Sequence, residues 1–235
     1  VANIPTGSFS SPSHVHDYSA SDHTHTSFDS LRIGTSSNNV TFDTNGTLRL
    51  TGSATAYDDL RVPALSVKVP ATGNPGFTQF KDNGAGSQGV FLYWFDPDAD
   101  EEIYFVGQFP HSMKLDSVIE PHVHWTPASN GTGTVCWGLE YTWIGTTGVF
   151  PNTNILYSNT SIPNEDNLIG GRHYMTDFDG VTGTGMGISS MIVCRLFRDA
   201  EANGLPDSYD DDVGLLEIDF HYEIDTLGSD TEYEK

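Results

Sequence analysis

The chain has 235 residues, 37% of them apolar and 11% aromatic, with 24 glycines. That composition suits strands and turns rather than helices, on a scale of one large domain with or without an appendage. Its 32 acidic residues against 10 basic ones give a formal net charge of −22. Such a surface repels phosphate backbones and anionic lipid, which sets aside nucleic acid and membranes as partners. Solubility alone accounts for the acidity; a saline habitat or divalent-cation binding would also fit. No run approaches the roughly 20 apolar residues of a membrane span, and no signal-peptide pattern is visible ahead of the first strands.

Residues 1–56 are thin in hydrophobes and rich in Ser, Thr, Asn, Gly and His. The stretch SFSSPSHVHDYSASDHTHTSFDS keeps neither the strand period nor the helix period, so it reads as an arm. LRIGTSSNNVTFDTNGTLRLTG reads as short strands around turns at Ser37-Asn38-Asn39 and Asn45-Gly46. Val40, Phe42, Leu48 and Leu50 alternate across the second turn. So small a hairpin is marginal alone and is expected to lean on something else, such as another copy of the chain.

From Tyr57 the chain reads as one domain of regularly spaced strands. GVFLYWFDP, EEIYFVGQF, SVIEPHVHWTP, TVCWGLEYTWIG, SSMIVCRLFRD and LLEIDFHYEID follow in order. In TVCWGLEYTWIG, Val135, Trp137, Leu139, Tyr141 and Trp143 share one face. In LLEIDFHYEID, Leu216, Ile218, Phe220, Tyr222 and Ile224 are expected inward; Glu217, Asp219, His221, Glu223 and Asp225 are expected outward. The prediction is an all-β protein: a jelly-roll-like β-sandwich over residues 57–235 behind an extended N-terminal arm with a hairpin over residues 1–56. Cys136 and Cys194 fall inside strand patterns. Two reduced thiols are the simplest account, and a bridge between neighbouring strands is the alternative.

Six of the nine histidines form three His-x-His pairs: His14/His16, His23/His25 and His122/His124. In a strand, residues two apart face the same way, so each pair aims two imidazoles in one direction. A cupin-like metalloenzyme using His122 and His124 is one reading. The carboxylate that the cupin motif places shortly after its histidines is missing, because Trp125, Thr126, Pro127 and Ala128 follow. A polar strand face or a subunit contact is therefore expected there, with His111, His173 and His221 in no recognisable spacing. The N-terminal pairs His14/His16 and His23/His25 are similar to the His-x-His elements of phage fibre shafts, where three chains share an octahedral ion on the threefold axis. Imidazole suits Zn²⁺ or Fe²⁺. A merely polar arm is the competing reading.

Asp199, Glu201, Asn203, Leu205, Asp207 and Asp210 follow the spacing of a Ca²⁺ loop, with Gly204 at the sixth position. Alternating oxygens around a glycine turn supply the hard ligands that Ca²⁺ takes. Glu stands at the third position and the shorter Asp at the twelfth, and the flanks read as strands, so a solvated acidic hairpin loop competes. Asp96, Asp98, Asp100, Glu101 and Glu102 form a second acidic turn without the glycine. No Gly-x-Ser-x-Gly, phosphate loop or dinucleotide fingerprint occurs, and no catalytic set is predicted.

Several dispersed motifs then fall in a familiar order: Tyr57-Asp-Asp-Leu-Arg-Val-Pro, GVFLYWF, Gln108-Phe-Pro-His-Ser-Met-Lys, Glu120-Pro-His-Val-His-Trp, Gly138-Leu-Glu-Tyr-Thr-Trp, Gly183-Thr-Gly and the closing Leu216-Glu-Ile-Asp-Phe-His-Tyr-Glu-Ile-Asp-Thr-Leu-Gly-Ser. From Tyr57 to Lys235 this resembles a group of virion structural proteins of tailed bacteriophages and prophages, of the fibre or head-decoration type. The resemblance implies a non-enzymatic virion component assembled in the host cytoplasm and attached through its arm to capsid or other virion proteins. It also implies a homotrimer. A fibre-tip module binding a receptor or host-surface glycan is the alternative, and exposed Trp125, Trp143 or Tyr157 would favour it.

Overall fold

The computed structural model describes residues 31–42, 47–84, 86–163, 170–232 and 234–235. The arm and its histidines His14, His16, His23 and His25 lie outside the described residues. Three sheets account for the described strands, all of whose pairings are antiparallel. β1 (Leu31–Gly34), β2 (Asn39–Phe42) and β3 (Leu48–Thr51) make a small sheet of their own. β4 (Ala56–Pro63), β5 (Gly76–Lys81) and β6 (Val90–Phe95) enter one layer of the sandwich, and β7 (Glu101–Gln108) enters the other. β8 (Val118–Pro127), β9 (Gly133–Ile144), β10 (Asn154–Ile162), β11 (Tyr174–Asp177), β12 (Val181–Thr182), β13 (Met191–Arg198) and β14 (Val213–Ile224) complete them.

One layer has four strands in the order β10-β9-β13-β7. The other has seven, along the path β11-β8-β14-β6-β5, with β12 beside β8 and β4 beside β14. Alternation fills the space between them. Ile119, Val123 and Trp125 of β8 and Ile218 and Phe220 of β14 are fully buried, as are Val135, Trp137 and Leu139 of β9 and Ile192 and Leu196 of β13. Each large apolar side chain removed from water contributes about 1.5–3 kcal/mol before ordering costs. The protein is thus an all-β sandwich. Among the described residues no helix is long and apolar enough to cross a membrane.

β14 departs from strict alternation at one point. Its register on β8 slips between Leu215 and Glu217, a bulge that buries Leu215 and turns Leu216 out beside Glu217. Beyond the bulge the expected parity holds, with Asp219 and His221 on the outer face. On β13, Phe197 folds over β9 at its partner Gly138, where a Cβ would come within 2.1 Å of the ring. Only glycine permits that approach. The Arg195 guanidinium caps the same ring at 4.2 Å and is held by Glu102 and Glu140 at 2.7 and 2.8 Å.

The small sheet carries a one-sided pattern. Ile33 pairs with Val40, Val40 with Leu50 and Phe42 with Leu48, so these five side chains share one face. Ile33 remains 59% exposed and Phe42 41%. The sheet is tied to the sandwich by the Leu50 amide, which donates to Asp225 O at 2.6 Å, and the segment that follows it by Thr55, whose hydroxyl donates to Glu223.

Candidate functional site

The outer face of the seven-stranded layer gathers most of the described histidines. Register decides which residues meet. On β14, Asp219 lies opposite His122 of β8, and Glu217 lies opposite His124. On the far side of β8, Asp177 and Met175 of β11 lie opposite His122 and His124. On the far side of β14, Asp59 and Arg61 of β4 lie opposite His221 and Asp219. All these positions point outward, because their odd or even partners fill the core.

Within this face, His122 Nε2 lies 2.5 Å from Asp219 Oδ1 and His124 Nε2 lies 3.1 Å from Asp219 Oδ2. Asp219 is only 5% exposed. Its Oδ1 is buried without a donor in hydrogen-bond geometry, despite the short contact to His122. The other nitrogens of the pair also face partners. His124 Nδ1 is 2.7 Å from His173 Nε2, and His122 Nδ1 is 4.0 Å from Asp177 Oδ1. His221 stands beside them, its Nδ1 2.7 Å from Asp59 Oδ1 and its ring stacked on Tyr57 at 4.7 Å. Asp59, His122, His124, His173, Asp219 and His221 line an open cleft of about 660 Å³.

Electrostatics follow from this arrangement. The Asp219 carboxylate raises the His122 pKa against an opposing desolvation cost. Burial pushes the Asp219 pKa up, but contact with His122 and the charge of both histidines outweigh it and hold the carboxyl below its usual range. A carboxylate is thus brought to both histidines by Asp219, 95 residues after His124. Asp219 is the functional candidate that local sequence spacing does not reveal.

The acidic loop after β13 is organised differently from a Ca²⁺ hand. Arg198 is fully buried, and Asp207 grips it twice, at 2.9 and 3.1 Å. Asp207 Oδ2 also accepts the Cys136 amide at 2.8 Å. Asp199 is likewise buried and accepts the backbone amides of Asn203 and Gly204 at 3.0 and 2.6 Å. Glu201 and Leu205 are exposed, and Asp210 points to solvent. Among the described residues, only His122, His124 and Asp219 form a group of three that converges on one ion-sized space. The loop acids Asp199, Glu201, Asp207 and Asp210 are not gathered in this way: Asp207 is engaged by Arg198, Asp199 by backbone amides, and Glu201 and Asp210 face solvent. Gly204 serves packing: a Cβ there would come within 2.2 Å of the Tyr157 ring.

Two of the proposed sugar-stacking aromatics are core residues. Trp125 is fully buried and donates its indole N–H to Thr176 Oγ1 at 2.9 Å; Trp143 is 3% exposed and donates to Ser190 Oγ at 3.0 Å. Tyr157 is half-buried under the acidic loop, edge-on to Phe197 at 5.9 Å. Cys136 and Cys194 are free and buried. Burial pushes the Cys136 pKa up to about 12 and that of Cys194 up further, so neither is a thiolate at neutral pH.

No family model matches the chain, and no curated protein does. Among solved structures it is similar to a tryptic-core variant of Cry1Da from Bacillus thuringiensis, at 10% identity over 72% of this chain and 23% of that one, with a TM-score of 0.37. It is also similar to the CBM22-1-GH10 modules of the Clostridium thermocellum xylanase 10B, at 10% identity over 77% of this chain and 29% of that one, with a TM-score of 0.36. A third similarity is to infectious bursal disease virus strain Gx, at 10% identity over 76% of this chain and 34% of that one, with a TM-score of 0.32. The chain spans about a third or less of the length of these proteins.

Proposed function

We propose that this protein is a non-enzymatic structural component of a bacteriophage virion. Its sandwich is a projecting knob, and its N-terminal segment attaches and oligomerises it. The observation that carries this reading is the β1–β3 sheet. Ile33, Val40, Phe42, Leu48 and Leu50 form one apolar face, and Ile33 and Phe42 stand open to water in a single chain. A three-stranded sheet whose apolar face stays partly open to water has an incomplete core. It lies between a polar arm and the knob, where subunits of an appendage would meet. The order of motifs from Tyr57 onward supports a virion role, and homotrimers are what that resemblance implies.

The experiment is incorporation. Ile33→Asp combined with Phe42→Asp places two charges on the apolar face while touching nothing in the sandwich core. The reading expects the altered chain to fold, yet to be missing from gradient-purified particles that contain the wild-type chain. Equal incorporation of both would remove the assembly role from this sheet.

A further inference from the structure

The cluster on the outer face of the seven-stranded layer is not needed for assembly through β1–β3, and its chemistry is specific. The geometry points to a binding site for one divalent transition-metal ion of the zinc type, ligated by Nε2 of His122, Nε2 of His124 and the carboxylate of Asp219. The three ligand atoms lie within 4.8 Å of one another. Ions of this class hold imidazole nitrogen and carboxylate oxygen at about 2.0–2.2 Å, so the 2.5 Å His122–Asp219 contact opens by small rotamer changes to admit one.

Three further features separate this group from an ordinary polar strand face. Asp219 is 5% exposed and sets one carboxylate oxygen against each histidine, 2.5 Å from His122 Nε2 and 3.1 Å from His124 Nε2. A carboxylate so enclosed needs positive charge against it, which the imidazoles supply when protonated and an ion supplies when they ligate it. Second, both histidines turn Nε2 toward Asp219 and Nδ1 toward an outer partner. His124 Nδ1 meets His173 Nε2 at 2.7 Å, and His122 Nδ1 faces Asp177 at 4.0 Å. A partner at hydrogen-bond distance, as His173 is to His124, fixes the tautomer and ring angle of a metal-bound histidine. Third, two nitrogens and one carboxylate favour Zn²⁺, Fe²⁺, Co²⁺ or Ni²⁺ over Ca²⁺ or Mg²⁺, which take all-oxygen shells. With three protein ligands, the remaining positions open into the cleft and are available to water. An ion here also fastens β8 to β14 on their solvent face. Asp219 and His122 are ligands in this account, whereas His173 is a positioning residue.

The test is Co²⁺ binding to the full-length chain with His14, His16, His23 and His25 changed to Gln, so that the arm contributes no imidazole. Visible ligand-field absorption should saturate at one Co²⁺ per chain, disappear with EDTA and be displaced by Zn²⁺. Paramagnetically shifted imidazole N–H resonances should come from His122 and His124. In the same background, His122→Ala and Asp219→Asn should abolish the signal. His173→Ala should weaken Co²⁺ binding by about 10–100-fold. His173 is exposed, so that variant reports on the site even if a ligand variant fails to fold. An arm-silenced chain that binds no Co²⁺ overturns the site, as does binding that all three variants leave unchanged.

Discussion

Replacing Arg198 with Met should be the most damaging single change in the sandwich outside its apolar core. The side chain is fully buried and makes five donor contacts, to both oxygens of Asp207 and to the carbonyls of Phe95, Tyr209 and Asp211. Methionine fills much of the volume but supplies no donor. Three carbonyls lose their arginine partner, and Asp207, with 3% side-chain exposure, keeps its charge with only the Cys136 amide against it. Removing one member of a buried pair typically costs about 3–5 kcal/mol. For a domain of this size, each kcal/mol shifts Tm by about 2–4 °C, which gives a fall of roughly 6–20 °C. Differential scanning calorimetry measures it directly. Arg198→Met combined with Asp207→Leu should recover much of the loss, since an apolar pair replaces the orphaned charge. A fall below about 2 °C for Arg198→Met would refute the claim that this arginine organises the acidic loop.

Two other expectations concern the same loop and the histidine face. Gly204→Ala should cost about 1–3 kcal/mol in urea denaturation, because the new methyl group meets the Tyr157 ring, and the cost should be the same with Ca²⁺ or EDTA present. The metal-free His122–Asp219 pair should stabilise the fold only within a pH window. The raised His122 pKa gives stability that is complete below its unfolded value, about 6.5, and lost as pH rises through the folded value. The lowered Asp219 pKa gives stability present above its unfolded value, about 3.9, and lost as pH falls through the folded one. In EDTA, the Tm difference between wild type and Asp219→Asn should therefore peak between about pH 4 and 6.5. With Zn²⁺ the difference should instead grow above that range, as the ion displaces protons from the imidazoles. A difference that is flat with pH under both conditions contradicts the pairing.

The sandwich was legible because β8, β9 and β14 alternate strongly enough to assign their faces before any pairing is known. The inward row of β9 already contained Trp143, which is why that residue packs in the core and not on a sugar. Leu216 escaped the pattern because a bulge depends on the partner strand, not on local alternation. β10 was hard to read for another reason: six of its nine residues are Asn, Ser, Thr or Tyr, so its alternation carries little hydrophobic contrast. The histidine site was half visible. Parity alone aims His122 and His124 together, and it turns Asp219 outward on β14. That Asp219 lies opposite His122 follows only from the β8–β14 register, a long-range pairing that no spacing motif encodes. The acidic loop shows what a spacing motif leaves out. Its acids match a Ca²⁺ spacing, but Arg198 immediately precedes them, and its burial commits Asp207 to an ion pair that local spacing does not show.

Native mass spectrometry of the full-length chain tests the central claim most directly. The account predicts a trimer for the wild-type protein and a folded monomer when Ile33→Asp and Phe42→Asp are combined. A wild-type chain that stays monomeric at micromolar concentration, or a trimer that survives both substitutions, would contradict assembly through the β1–β3 face.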